Sequence, residues 1–92
     1  MEYEIACDRI CDGISHLLLE AGRPTPGMAL TAARATRDVA DALHHARGVP
    51  DDPRWFNAVA SLDDFLARCK ARGLERSAAL RELQAFASEN AA

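Results

Sequence analysis

Three cysteines, three histidines and two pairs of adjacent aspartates are the residues of this 92-residue chain whose chemistry could extend beyond packing. Cys7 and Cys11 stand four apart, a spacing that can turn two thiolates on one helix face toward one Zn²⁺. A site would need two more ligands, and Cys69, His16, His44 and His45 lie at no zinc-finger spacing from that pair. The residue types fit better as small buried hydrophobes, the usual state of free cysteine. Neither a metal nor a cofactor is expected. His44 and His45 are adjacent, so on a helix they point about 100° apart and cannot face one ion. His45 follows Asp41 by four near a helix C-terminus, where a protonated imidazole is favoured, so the pair reads as solvated and dipole-compensating. Ser15-His16 has no third residue to complete a nucleophile, base and orienter set. Asp52 reads as a helix cap. Ser61 with Asp64 resembles a capping pattern but lies inside a continuous helix, and Asp64 precedes Arg68 by four, the favourable order for an ion pair. No enzyme is expected from these residues.

Charge distribution carries more information. Residues 1–20 hold Glu2, Glu4, Asp8, Asp12 and Glu20 against Arg9, five acids and one base, a balance of −4. Residues 66–81 hold Arg68, Lys70, Arg72, Arg76 and Arg81 against Glu75, five bases and one acid, a balance of +4. Glu4, Asp8 and Asp12 repeat every four residues and form an acidic edge on one helix, where like charges slightly destabilise. Such an edge is either an ordinary solvated face or a docking surface for a basic partner. In the basic segment, Arg68, Arg72 and Arg76 are candidates for anion binding, against the simpler reading of cations placed near a helix C-terminus. The net charge of −3 argues against nonspecific nucleic-acid binding.

The elements that carry these residues follow from periodicity. Thr25 and Pro26 start an alanine-rich helix in which Met28, Ala32, Ala35, Val39, Ala42 and Ala46 recur every three or four residues; Gly48 and Pro50 stop it. A methyl-rich face lets a neighbour approach closely but supplies little bulk. Before it, Tyr3, Cys7, Ile10, Ile14, Leu17 and Ala21 form the stripe of a first helix, with Gly13 inside at a cost of about 1 kcal/mol. After it, Asp52 and Pro53 start a third helix whose face of Trp55, Phe56, Val59, Leu62, Phe65, Leu66 and Cys69 supplies the missing bulk. Gly73 stops that helix, and a fourth buries Ala79, Leu80, Leu83, Phe86 and Ala87 before the chain frays from Asn90. The expectation is an all-α single domain over 1–92, with helices at about 2–21, 26–47, 53–72 and 75–89 arranged as an up-down bundle.

Ile5, Leu19 and Leu30 fall off these stripes, which suggests a second contact face and a homodimer; a monomeric bundle and an intertwined dimer share the same pattern. No apolar run reaches membrane-span length, the acidic start is no signal peptide, and an odd number of cysteines suits a reducing cytoplasm. The leading functional expectation is a non-enzymatic helical module that binds a protein with a basic surface through Glu4, Asp8 and Asp12, as a regulator, adaptor or inhibitor. Size, helicity and acidity also suit antagonists encoded by phages or mobile elements. The alternative is a DNA-binding helix-turn-helix built after Pro50, with Arg72, Arg76 and Arg81 meeting phosphates. A long helix before Gly73 and few base-reading residues after it count against that alternative.

Overall fold

Thr25 and Asp52 open their helices by the same device. Each takes an extended backbone and turns a side-chain oxygen back onto the first turn: Thr25 Oγ1 accepts from the Met28 N–H at 3.1 Å, and Asp52 Oδ1 from the Arg54 N–H at 2.9 Å. A proline follows each, at a position whose N–H has no helical partner to lose. The computed structural model describes Glu2 to Asn90, with side chains from Ile5 onward. It contains α1 (Glu2–Glu20), α2 (Pro26–His45), α3 (Pro53–Ala71) and α4 (Ala78–Asn90), with no strand among the described residues. Glu4 of the acidic edge, Tyr3 of the first stripe and the final Ala91 and Ala92 lie outside the described side chains.

The helix ends shift from the expected bounds for local reasons. The second helix stops at His45 rather than 47, because Ala46 is its C-cap at φ −122° and Gly48 turns left-handed at φ 78°. At the end of α3, the Gly73 N–H donates to the Lys70 carbonyl at 2.9 Å and the Leu74 N–H to the Cys69 carbonyl at 3.1 Å. Gly73 sits at φ 85°, which completes a Schellman closure. A further turn then joins the Ser77 N–H to the Leu74 carbonyl, so α4 begins at Ala78 and not at Glu75. Asn90 remains helical, with Nδ2 donating to the Phe86 carbonyl at 2.9 Å.

Short connections force antiparallel neighbours, and the main interfaces are α1 with α2, α2 with α3, α3 with α4, and α4 with α1. The result is an all-α four-helix bundle. The alanine face of α2 and the bulky face of α3 share the most extensive interface, with Ala32, Ala35, Val39 and Ala42 buried in one cluster with Leu62, Phe65 and Leu66. Ile10, Ile14 and Leu17 of α1 and Leu80, Leu83 and Ala87 of α4 complete that core. Gly13 has a packing role: a Cβ there would stand 3.3 Å from Leu83 Cδ2, so the missing side chain makes room for Leu83.

One expectation about the third helix needs correction. Phe56 is 76% exposed, because the helical turn carries it to the flank beyond Val59, while Ala58 takes the fully buried place. Trp55 and Val59 are only half-buried. Ser61 is not a cap: its hydroxyl donates to Asp38 Oδ2 and ties α3 to α2. Asp38 is accordingly partly buried.

Candidate partner-binding surfaces

On α1 the core stripe turns inward and places Asp8 and Asp12 outward, both exposed. Neither carries an ion pair among the described residues. The one base nearby, Arg9, reaches across to Glu82 of α4 and pairs there. The two aspartates are therefore left without a partnering cation among the described residues. Cys11 is raised from an ordinary 9.0 to about 11, first by burial, then by the charge and hydrogen bond of Cys7, then by Asp8 and Asp12.

Six other carboxylates of the bundle are engaged, while Asp51, Asp63, Glu75 and Glu89 carry no ion pair among the described residues. Glu20 meets His16 at 2.8 Å, Asp41 meets His45 at 3.8 Å and Arg54 at 3.6 Å, and Asp52 meets Arg54 at 3.0 Å. Asp64 meets Arg68 at 3.7 Å, as the four-residue spacing suggested. His44 and His45 have ring centroids 6.2 Å apart at a tilt of 47°. Cys7 and Cys11 are partly exposed and Cys69 is buried; all three are free thiols. Cys69 is raised to about 11 by burial and then by Glu20. No three His, Cys, Asp or Glu side chains among the described residues converge as a metal site would require.

Of the basic segment, Arg68 and Arg72 are built into the opposite end of the bundle. Arg72 Nη2 donates to the Ala21 carbonyl at 2.8 Å, at the end of α1. The Arg68 guanidinium lies over Gly27, where a Cβ would come within 2.7 Å of it. Arg76 is exposed on the turn between α3 and α4.

Ile5, Leu19 and Leu30 are exposed, as their off-stripe positions implied. Ile5 and Leu19 lie on one side of α1 but about 21 Å apart along its axis, with Asp12 and His16 between them. They do not form one continuous apolar patch. Two further exposed apolar side chains, Val49 and Phe56, lie at the other end of the bundle from Leu19 and Leu30. Phe56 stands beside the half-buried Trp55 over a cleft of about 450 Å³ at the α2–α3 turn, and Val49 lines an adjoining depression. The sequence signal was present in Val49-Pro50 and in the position of Phe56, one residue beyond a stripe that Ala58 continues.

No helix among the described residues is long and apolar enough to cross a membrane. Comparison of the chain with protein-family models, with curated proteins and with solved structures finds no match in any of the three.

Proposed function

We propose that this bundle is a non-enzymatic protein-binding module of the cytoplasm, a regulator, adaptor or inhibitor that docks a basic protein surface along the outer edge of α1. One observation carries the reading: Arg9 is drawn away to Glu82, which leaves Asp8 and Asp12 exposed and without an ion pair as neighbours on one edge of α1. Exposed ion pairs contribute little to stability, so a row of like charge costs the fold little and remains free to steer an oppositely charged partner. Glu4 extends the same row in the sequence. The DNA-binding alternative has weaker support, because Arg68 and Arg72 already serve Asp64, Ala21 and the start of α2.

Affinity capture from the native host with the parent protein and with Asp8→Lys/Asp12→Lys as baits tests the proposal. A protein with an Arg/Lys-rich surface should be retained by the parent and lost by the variant. Equal retention by both baits would remove the α1 edge from the contact.

A further inference from the structure

The cleft at the α2–α3 turn mixes apolar and polar lining, and its charged residues are all of one sign. Trp55 and Val59 line it, Pro50 and Phe56 flank it, and Asn90 lines it from α4. A second depression of about 420 Å³ adjoins it, sharing Pro50, Asp51, Trp55 and Asn90 and adding Val49. Trp55 is held rigidly, since its indole N–H donates to the Ala46 carbonyl at 2.8 Å and so caps the end of α2. Phe56, at 76% exposure, has no packing duty that would explain an aromatic ring. Burying it would remove apolar surface from water without reordering the fold, the property of an interface anchor.

The rim identifies the occupant. Asp51, Asp52, Asp63 and Glu89 line the two depressions, and no lysine or arginine does. Asp52 is answered by Arg54 at 3.0 Å, whereas Asp51, Asp63 and Glu89 carry no ion pair among the described residues. An apolar partner without charge would leave these carboxylates unpaired beside it, and an acidic one would be repelled. A partner bearing cations answers both features, because an arginine or lysine can reach the rim while its stem, or a neighbouring apolar side chain, covers Phe56 and Trp55.

We infer that the Trp55–Phe56 cleft docks a basic amphipathic protein segment, with an apolar residue of the partner set between Trp55 and Phe56 and its Arg/Lys residues on Asp51, Asp63 and Glu89. This surface uses residues other than Asp8 and Asp12 and stands or falls separately from the α1 edge.

Trp55 is the chain's single tryptophan, so the cleft carries its own reporter. The probes are a short synthetic amphipathic helix of Leu and Lys and the same peptide with Glu in place of Lys. The Lys peptide should shift Trp55 emission saturably and move amide resonances at Val49, Asp51, Phe56, Val59 and Asn90. The Glu peptide should do neither. Phe56→Ala and, separately, Asp51→Lys/Asp63→Lys should each weaken binding at least tenfold with helicity unchanged. Equal binding of both peptides would reduce the cleft to unspecific apolar contact and overturn the inference. So would resonance changes centred on Asp8 and Asp12, or no saturable change at all. A Trp55 shift that grows with protein concentration alone would assign the cleft to a second copy of the chain and overturn it equally.

Discussion

Two phenylalanines of α3, nine positions apart, should differ sharply in what they contribute. Phe65 is fully buried between α2 and α3, whereas Phe56 is 76% exposed. Truncating Phe65 to alanine removes a ring from a closed cluster and leaves a cavity, at about 3–5 kcal/mol. A domain of this length has a total stability of about 5–14 kcal/mol, so the loss is a large share of it. At about 4–8 °C per kcal/mol, it lowers Tm by at least about 12 °C. Phe56→Ala opens no cavity and should stay within about 0.5 kcal/mol of the parent. Urea unfolding followed by circular dichroism gives both values, with the m-value checking that the denatured state is unchanged. Where Phe65→Ala is too unstable to fold, Phe65→Leu should still cost about 1 kcal/mol. A near-neutral Phe65→Ala, or a Phe56→Ala that costs more than 2 kcal/mol, would mean that the inward face of α3 is misassigned.

Four further outcomes follow from particular side chains. Thr25→Ala and Asp52→Ala should each cost about 1 kcal/mol through the lost caps. Ser77→Ala should be close to neutral although Ser77 also precedes a helix, because its hydroxyl is buried without a hydrogen-bond partner; a loss as large as that at Thr25 would show that it caps α4. Cys11 and Cys69 hold their protons more tightly when folded, at about 11 against an ordinary 9.0, so their contribution to stability is intact below pH 9 and is lost as pH rises toward 11. Removing both thiols as Cys11→Ala/Cys69→Ala should therefore reduce the alkaline fall in Tm across that window, and an unchanged fall would exclude them as its source. Leu19→Glu/Leu30→Glu should keep the fold within about 0.5 kcal/mol, since both side chains are more than half exposed. Light scattering of parent and variant against the 10.0 kDa chain mass reads whether those leucines join two chains.

The helices and their pairing were legible because the sequence states them twice, in stripes and in caps. Thr25-Pro26 and Asp52-Pro53 start helices where they should, and the methyl face of α2 meets the bulk of α3 as the two compositions demand. The misreadings sit where one signal overrode a weaker one. Glu75 and Arg76 are acceptable helix formers, but the Schellman closure at Gly73 leads into a second turn, and Ser77 marks the true start of α4. Phe56 reads as inward because it is apolar, although its angle on α3 belongs to the flank. Its exposure is therefore what draws attention to the cleft. Ser61 and Asp38 lie 23 positions apart, and no local pattern announces a hydrogen bond between them. Likewise, the acidic row was visible in residue types, but the withdrawal of Arg9 to Glu82, which leaves that row unneutralised, depends on the packing of α1 against α4.

The most direct test of the functional account is the association rate with a captured partner, measured across a salt series for the parent and for Asp8→Lys/Asp12→Lys. Electrostatic steering predicts a fast parent rate that falls steeply with added salt, as screening shortens the reach of the acidic edge. The variant should associate more slowly and with a flatter salt dependence, at unchanged helicity and melting temperature. A variant that associates as fast as the parent at low salt would contradict the account and leave Asp8 and Asp12 as an ordinary solvated face.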